Sequence, residues 1–527
     1  MSLGRACAVA VVFAGILTLG RGCTPKNDET TYACATGEEQ ADSGAPGGAD
    51  FASGRSAQQW FSSETHPYEL DAPDLSWFRC PLHVEYRLAR RSDVPITQPG
   101  GSATTTIAVD PATTYQSILG TGISMEESSV HNLLLLSPSK RTELLTKLFD
   151  PVLGMGNSLV RVTMGTSDFT GRPWYTYDDL PPGQQDPDMN GFSIQKDIDY
   201  GIVGVLQQIR AINPNVRFFG SPWSPPAWMK DSGQITGGSL LSERIPALAK
   251  YVRRFVEAYR EQGLPIYAVT LQNEPQSSSP AMPTCLVSAG QEALLVKAIK
   301  QELAAGNLDT KTWIFDQNFD QGVDFAQDVF ADPDALAATD GVAFHDYAGD
   351  PSAMTTLHDL YPDKDVFFTE KTLWGVAGVD RAAQYFRNWA RSYVSWLTIL
   401  DQNGMPNDGP NTEKPRRFMR SITYRGDEYY ATPEYYLFAL YSKFVLPGAK
   451  RIASPYGRAD TVTDVAFVNP DGTIVTVVIN QTSAQQRFVL LSENNQIWAS
   501  LDPKTAASYV WRSGLGKSSL APASPTP

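Results

Sequence analysis

The sequence predicts a (β/α)8 barrel with an attached antiparallel β-sandwich domain, because short apolar runs alternate with helical patterns along most of the chain and closely spaced strand patterns follow near its end. Eight apolar runs lie in the alternating part, which is the number of strands in such a barrel. The length of 527 residues exceeds what one hydrophobic core usually organises, so a large domain with a smaller companion is expected.

The first residues, 1–22, have the pattern of an export signal. Arg5 gives a positive start, and the apolar stretch after it is too short to span a bilayer. We expect this signal to be removed, which leaves a secreted, periplasmic or cell-surface protein. Cys23 follows directly and keeps a lipid anchor open as an alternative, although Arg21 fits such a signal poorly. No other stretch has about 18 consecutive apolar residues, so no transmembrane segment is expected.

Two segments separate this signal from the barrel. Residues 23–60 are mostly Gly, Ala, Ser, Asp and Glu, which bury too little apolar surface to offset the entropy of ordering, so we expect a disordered linker. Residues 61–114 carry alternating strand patterns within 83–109, and we expect them to contribute in part to the β-sandwich.

The (β/α)8 barrel is expected over 115–446. Its eight predicted strands are short runs with many β-branched and aromatic residues, at 117–122, 158–163, 216–221, 266–272, 312–316, 341–345, 365–369 and 393–400. Most are separated by segments with apolar residues three and four positions apart, which is the helical period. The clearest of these helices are predicted at 137–149, 200–212, 245–261, 288–305 and 433–444.

The β-sandwich domain is expected over 447–512. Its strand-like runs lie at 449–454, 461–469, 473–481, 486–491 and 505–511. The sequence Asn469-Pro470-Asp471-Gly472 between two of these runs is typical of a hairpin turn. Residues 513–527 are again poor in apolar side chains and are expected to form a disordered tail.

The composition argues against several classes of function. The 43 basic and 57 acidic residues give a net charge of −14, which disfavours nucleic acid or an anionic membrane surface as the main partner. The five cysteines and five histidines show no zinc-binding pattern, so we expect neither a metal nor an organic cofactor. The 11 Trp and 22 Tyr suit a neutral sugar, whose apolar faces pack on flat rings, although large barrels also bury many aromatic residues.

Two glutamates at the ends of predicted barrel strands are the strongest candidates for chemistry. Glu274 follows the run at 266–272, and Glu370 follows the run at 365–369. Because the C-terminal ends of all barrel strands meet at one mouth, the two carboxyl groups are expected to face one substrate. Such a pair is the minimal requirement of glycoside hydrolysis. The alternatives are a carboxylate at a helix N-terminus for Glu274 and an ion pair with Lys371 for Glu370.

Eight short motifs, in order along the chain, resemble those of glycoside hydrolase family 30, the glucosylceramidase-like family. They are YQSILGTG (115–122), MGTSDF (164–169), SPWSPPAWMK (221–230), LQNEP (271–275), HDY (345–347), FTE (368–370), GMPN (404–407) and SKFVLPG (442–448). The resemblance implies a (β/α)8 barrel with a β-sandwich built from both chain ends. Two departures lie near the expected mouth: the glycine-rich first-strand pattern reads GTGISMEE (120–127), and Asp346 stands where the family often has Trp.

The resemblance also implies roles for individual residues. Glu274 is expected to be the acid/base and Glu370 the nucleophile of a retaining hydrolase, with their carboxyl groups about 5 to 5.5 Å apart. Other residues are expected to bind the sugar or to orient these groups, namely Asp168, Trp223, Asn273, His345, Tyr347 and Trp396. A turn cap for Asp168, a place in the core for each tryptophan and a structural role for His345 are the alternatives.

These observations predict an exported, monomeric β-glycosidase that needs no cofactor and acts on a carbohydrate or glycolipid. The expected substrates are β-linked glucosides, either glucosylceramide-like lipids or β-1,6-glucan. The alternatives are a β-xylosidase, a β-fucosidase or a transglycosylating enzyme of the same fold, and a non-catalytic carbohydrate-binding surface protein. The presence of both Glu274 and Glu370 argues against the last of these.

Overall fold

The computed structural model of the protein describes residues 56–64, 87–101, 105–410, 419–421 and 426–512. The expected export signal, Cys23, the expected tail and most of the expected linker lie outside these residues. The end of the linker prediction is wrong, because residues 56–60 belong to a largely buried strand, Ser56–Ser63 (β1). Trp60 and Phe61, each 1% exposed, supply apolar surface that offsets the entropy of ordering there.

Two more strands, Arg87–Thr97 (β2) and Thr106–Ser117 (β3), precede the barrel. The barrel consists of eight parallel strands, each paired with the next in the chain, and the last closes on the first. They are Gly120–Ser124 (β4), Leu159–Met164 (β5), Arg217–Pro222 (β6), Ile266–Thr270 (β7), Lys311–Asn318 (β8), Gly341–His345 (β9), Asp365–Glu370 (β10) and Ala390–Ser395 (β11). The predicted (β/α)8 barrel is thereby confirmed.

The eighth barrel strand lies earlier than the run predicted at 393–400. Its pairing with β4 ends at Ser395. The next strand, Ile399–Asp401 (β12), pairs instead with Met419–Ser421 (β13) in a separate sheet that Tyr429–Ala431 (β14) completes. Because β12 and most of β11 are buried, one apolar run passes through both, and hydrophobicity does not show where the first strand ends.

Helices follow the barrel strands, and most of them bury an apolar face. They are Glu127–Leu135 (α1), Pro138–Phe149 (α2), Gln195–Asp199 (α3), Ile202–Ile212 (α4), Ile245–Glu261 (α5), Ala289–Ala305 (α6), Phe319–Phe330 (α7), Pro333–Ala338 (α8), Ser352–Leu360 (α9) and Gly375–Arg387 (α10). Helix α6 begins where the sequence predicts because Ser288 and Gln291 form a capping box. Within the described ranges, no helix has the length and hydropathy that a membrane span requires.

The second domain is a closed arrangement of nine strands from both ends of the described chain. Strands β1 to β3 are joined there by Lys450–Ala453 (β15), Thr463–Val468 (β16), Thr473–Asn480 (β17), Gln486–Ser492 (β18), Asn495–Leu501 (β19) and Thr505–Arg512 (β20). Pairing of β1 with β20 and of β3 with β18 confirms that the segment before the barrel enters this domain. The sequence patterns missed β19, because its Asn, Gln and Ser residues interrupt any apolar run.

One helix, Pro433–Ser442 (α11), joins the two domains. All ten of its residues are buried, as expected of a helix that is apolar on every side. Ser62 of β1 donates a hydrogen bond to the Tyr436 carbonyl at 2.9 Å, and Ser508 of β20 donates one to the Leu440 carbonyl at 2.6 Å. The sandwich is therefore bonded to a helix at the core of the molecule, and it supports the barrel from one side.

Candidate active site

The C-terminal ends of the barrel strands form one mouth, and both candidate glutamates lie there. Glu274 follows β7, and Glu370 is the last residue of β10. One carboxyl oxygen of each glutamate and a ring nitrogen of His345 all lie within 4.8 Å of one another. Two carboxyl groups that are far apart in the chain therefore face one small gap.

Glu370 is held by hydrogen bonds to both of its oxygens. The Tyr347 hydroxyl donates to Oε1 at 2.8 Å, and Nη1 of Arg161 donates to Oε2. The Glu370 side chain is 8% exposed, so little of it is open to a ligand. A charge-assisted bond of this kind stabilises the ionised carboxylate and sets its orientation.

Arg161 lies in the middle of β5 and is completely buried. Besides Glu370, its guanidinium donates to Asp316 Oδ2 at 2.8 Å, Asn273 Oδ1 at 2.7 Å and Ser221 Oγ at 3.1 Å. Burial disfavours the charge, but the carboxylates of Asp316 and Glu370 outweigh it and raise the pKa of Arg161 above its usual value. The planar guanidinium thus connects the ends of four barrel strands or their loops.

Asp316 lies in β8 and is the buried counter-ion of this network. It accepts hydrogen bonds from Ser221 Oγ at 2.7 Å, Thr369 Oγ1 at 2.6 Å and His345 Nε2 at 3.0 Å, in addition to the one from Arg161. Burial alone would raise the pKa of Asp316. The positive charges of Arg161 and His345 outweigh burial and hold that pKa well below its usual range.

His345, the last residue of β9, connects Asp316 to Glu274. Its Nε2 lies 3.0 Å from Asp316 Oδ1, and its Nδ1 lies 3.3 Å from Glu274 Oε1. Burial opposes a charged ring, but the carboxylates of Glu370 and Asp316 outweigh it and raise the pKa of His345 to about 9. The raised pKa favours the imidazolium, a form in which both ring nitrogens donate.

Glu274, His345 and Glu370 are also the one cluster of potential metal ligands in the part of the chain that the structure describes. Two carboxyl groups and an imidazole are metal-ligand types, and the same groups can act as acid, base and nucleophile on an organic substrate.

Glu274 is the more open of the two carboxyl groups, with 23% of its side chain exposed. Its backbone is in the left-handed region, with φ at 48°, which costs a residue with a side chain about 1–3 kcal/mol. The Glu274 N–H donates to the Asp316 carbonyl at 3.0 Å, which holds this conformation. The loop that carries Glu274 is thus bonded to the same strand that carries the buried counter-ion.

Asn273 is positioned by Arg161. A guanidinium only donates hydrogen bonds, so the Asn273 oxygen must face Arg161 and its NH2 must point the other way. No acceptor for this NH2 is present among the residues that the structure describes, and Asn273 lines the cleft. The amide is therefore oriented to donate to a hydroxyl group of a ligand.

An aromatic wall stands beside the carboxyl pair. Trp223 and Trp396 stack with ring centroids 5.3 Å apart, and Phe169 packs edge-on against Trp396. Arg161 lies with its Cζ 4.7 Å from the centre of the Trp223 ring. Asp168, which is 2% exposed, adds a carboxylate next to this wall. Flat rings beside a hydrogen-bond acceptor match the two kinds of surface on a sugar.

A cleft of about 460 Å³ opens between these groups, a volume typical of a site for small ligands. It is lined by Asp168, Phe169, Trp223, Asn273, Glu274, Met282, Asn318, Tyr347, Glu370, Lys371, Thr372, Trp374 and Trp396. Seven of the eight residues singled out in the sequence line this cleft, and the eighth, His345, lies directly behind it.

The sequence reasoning missed Arg161 and Asp316. A signal was present, because Arg161 interrupts the apolar run of β5 and Asp316 directly follows the apolar residues 313–315 of β8, and a buried charge requires a partner. It also missed cleft residues on the loops, such as Thr372 and Trp374, because loops carry no periodic pattern.

The two departures from the family pattern do not enter the cleft. Glu126 is fully buried and accepts hydrogen bonds from the hydroxyls of Ser124 and Thr163, and burial raises its pKa. Asp346 forms two hydrogen bonds with Arg381, at 2.6 and 2.9 Å. Neither acid lines the cleft.

Residues 118–445 match the TIM-barrel domain of glycosyl hydrolase family 30, and residues 448–509 match the β-sandwich domain of that family. An endo-1,6-β-D-glucanase from Trichoderma harzianum is 32% identical over 439 residues, which cover 77% of this chain and 87% of that protein. The lysosomal acid glucosylceramidase of Mus musculus is 26% identical over 439 residues, which cover 77% and 83%.

Among solved structures, an endo-β1,6-glucanase superposes on this chain with a TM-score of 0.76 at 26% identity, covering 87% of this chain and 100% of that one. Sequence and structure thus agree over both domains. This chain belongs to glycosyl hydrolase family 30.

Proposed function

We propose that this enzyme hydrolyses β-linked glucosides by double displacement, with retention of configuration at the sugar carbon. The observation that carries the proposal is the short separation of the carboxyl pair, since one oxygen of Glu274 and one of Glu370 lie within 4.8 Å. Retaining glycosidases have carboxyl groups about 5–5.5 Å apart, whereas inverting enzymes leave about 6.5–9.5 Å for a water molecule.

In the first step, a Glu370 oxygen attacks the anomeric carbon and forms an ester with the sugar. The bond to the leaving oxygen breaks at the same time, and that oxygen takes the proton of Glu274. Glu370 suits the role of nucleophile because Arg161 and Tyr347 hold its carboxylate in one orientation. Glu274 suits the role of acid and base because its more open carboxyl group can be reached by the leaving oxygen and then by water.

In the second step, Glu274 takes a proton from a water molecule, whose oxygen attacks the anomeric carbon and releases Glu370 as a carboxylate. The transition states resemble an oxocarbenium ion, and the Asn273 NH2 is oriented to donate to the sugar 2-hydroxyl. Trp223 and Trp396 supply the wall on which the reacting sugar packs.

For the substrate, the proposal is β-1,6-linked glucan. Relatives named endo-1,6-β-D-glucanase support it, the one from Trichoderma harzianum at 32% identity and a solved one at a TM-score of 0.76. Glucosylceramide is the second candidate, supported by the mouse lysosomal enzyme at 26% identity. The order of these candidate substrates is tested by comparing kcat/KM on β-1,6-glucan, glucosylceramide, and aryl β-glucosides, β-xylosides and β-fucosides. A β-xyloside or β-fucoside as the best substrate would refute the assignment.

The proposed mechanism is tested by trapping. An activated 2-deoxy-2-fluoroglucoside should inactivate the enzyme and add one fluorosugar to the peptide that contains Glu370, measured by mass spectrometry. NMR of the product should show the β-anomer first. Labelling of a different residue, or early formation of the α-anomer, would contradict double displacement at Glu370.

We also propose that the enzyme is exported and acts as a monomer. The apolar stretch that follows Arg5 supports export. The N-terminal mass of the protein recovered after secretion tests it: cleavage near residue 22 is expected, and a lipid-modified Cys23 would favour the anchored alternative. Sedimentation of the purified enzyme tests the monomer.

A further inference from the structure

The catalytic pair divides the barrel mouth into two unequal arcs. Glu274 follows β7 and Glu370 ends β10, so β11, β4, β5 and β6 lie on one side of the pair and β8 and β9 on the other. The loops after β5, β6 and β11 carry Asp168, Trp223 and Trp396. The first arc therefore holds the aromatic wall. In the proposed reaction, the sugar that Glu370 attacks packs on this wall.

The second arc has a different chemistry. Asn318 and Tyr347 come from β8 and the loop after β9. The segment 371–374 follows β10, at the boundary of the two arcs, and the Lys371 side chain reaches Tyr347 on this side. The ammonium of Lys371 lies 4.2 Å from the centre of the Tyr347 ring. Among the residues that the structure describes, this half-buried ammonium has no hydrogen-bond or ion-pair partner. Trp374 is 39% exposed at the edge of the cleft.

The segment 371–374 is held in place before any ligand binds. The Tyr393 hydroxyl donates to the Lys371 carbonyl at 3.2 Å, and the Thr372 hydroxyl donates to the Trp396 carbonyl. Leu373 is buried in the hydrophobic core at 1% exposure. A site whose backbone is already ordered loses less entropy when a ligand binds.

The far side of this segment is held by the sandwich domain. The Val376 N–H at the start of α10 donates to Glu64 Oε2 at 2.6 Å, directly after β1. A carboxylate at a helix N-terminus is favourable, because the helix dipole is positive there. The β-sandwich thus helps to fix the loop that carries Lys371 and Trp374.

We propose that residues 371–374 form the binding site for the leaving sugar, and that Lys371 selects a sugar leaving group by donating hydrogen bonds to its hydroxyls. Trp374 offers an apolar face on which that sugar packs. The inference rests on the proposed function, since it assumes that the first arc holds the reacting glucosyl unit. It adds the residue that distinguishes a glucan from an aryl or lipid glucoside.

The charge of the site favours a neutral, hydroxyl-rich leaving group. An anionic leaving group would lie close to the carboxyl groups of Glu274 and Glu370, which border the site. A lipid chain would cover the Lys371 ammonium without offering an acceptor, and a buried unpaired charge is costly. A sugar hydroxyl supplies the acceptor and adds no charge.

Lys371→Met tests the proposal, because methionine keeps most of the length of the side chain and removes the three donors. Lys450→Met is the matched control, since Lys450 is exposed on the sandwich domain away from the cleft. The kcat/KM of each variant is measured on three substrates: a β-1,6-linked diglucoside, 4-nitrophenyl β-glucoside and phenyl β-glucoside. Phenyl β-glucoside has a poor leaving group but no leaving-group hydroxyls.

We expect Lys371→Met to lower the ratio of diglucoside to phenyl glucoside kcat/KM by about 10- to 100-fold, as for a lost hydrogen bond to a charged group. Lys371→Arg should recover part of that ratio. An equal loss on all three substrates would overturn the proposal, because Lys371 would then act on the catalytic pair. A selective loss on phenyl relative to 4-nitrophenyl glucoside would also overturn it, since that pattern reports on Glu274.

The proposed function fails in a different way. If the unaltered enzyme hydrolyses neither the three short β-glucosides nor β-1,6-glucan, the β-glucosidase assignment is wrong whatever the variants do. If it hydrolyses all three and the Lys371→Met ratio matches that of Lys450→Met, the assignment stands and the role of Lys371 is refuted.

Discussion

Two fully buried acids lie next to each other in this barrel, and their pKa values move in opposite directions. Glu292, on α6, accepts the Phe315 N–H at 3.0 Å, and burial raises its pKa to about 8. Asp316 follows Phe315 in β8. Although Asp316 is buried, Arg161 and His345 hold its pKa well below the usual range. The two side chains differ in their partners and not in their burial.

Among the described residues, Glu292 has one backbone donor, and its Oε1 has no hydrogen-bond partner there. Asp316 accepts from four side chains, two of which carry a positive charge. The comparison shows that burial sets the cost of a charge and that the partners decide whether the charge forms. Asp316, whose charge is compensated by positive partners, belongs to the network that holds Glu370. Glu292, which has no such partner among the described residues, lies outside that network.

The largest effect on activity is expected at Glu370, the carboxylate that the network around Asp316 holds in place. Glu370→Gln removes the proposed nucleophile and should lower kcat on 4-nitrophenyl β-glucoside by on the order of 10⁴-fold or more. Glutamine keeps the size of the side chain, so thermal unfolding should show a folded protein. A rate within tenfold of the unaltered enzyme would remove Glu370 from the mechanism.

Asp316→Asn is expected to have the next largest effect, because it leaves the buried Arg161 and His345 with too little negative charge. The free energy of unfolding should fall by about 3–5 kcal/mol, measured by urea denaturation. The pKa of Asp316 is lower in the folded protein than its unfolded value of 3.8, so the carboxylate stabilises the fold at pH values above 3.8. The full loss of stability in the variant is therefore expected already at pH 5.

Asp328→Asn, at an exposed position on α7, is the control for that change and should shift stability by less than about 0.5 kcal/mol. If Asp316→Asn behaves like this control, the ion network contributes nothing to stability.

Glu292→Gln should have the smallest effect and the opposite sign. Because the folded protein raises the Glu292 pKa from 4.5 to about 8, the unaltered protein loses stability as the pH rises between these values. Glutamine removes that cost and should stabilise the protein by about 1–3 kcal/mol at pH 8, with little difference at pH 4.5.

Urea denaturation at the two pH values measures the difference, with the exposed Glu261→Gln as the control. A gain that is the same at both pH values, or a loss at pH 8, would show that Glu292 does not carry a buried charge.

Much of the fold could be predicted from the sequence, because barrel strands and their helices have local periods. The helix over 245–261 and the strand over 341–345 have the predicted bounds. Predictions failed where hydrophobicity does not mark an end, as between β11 and β12, or where polar residues interrupt a strand, as in β19. The end of the expected linker became a strand, because its partners lie more than 400 residues away in β20.

The chain sequence was sufficient to identify the barrel, the two domains and the pair Glu274 and Glu370, since each leaves a local pattern or a motif. Only the folded molecule brings Arg161, Asp316 and His345 into contact, because they lie on three different strands and no local period encodes their distances. The charge states of the site follow from those contacts. They also explain why the pKa of one buried acid lies below its usual range while the pKa of its neighbour in space is raised.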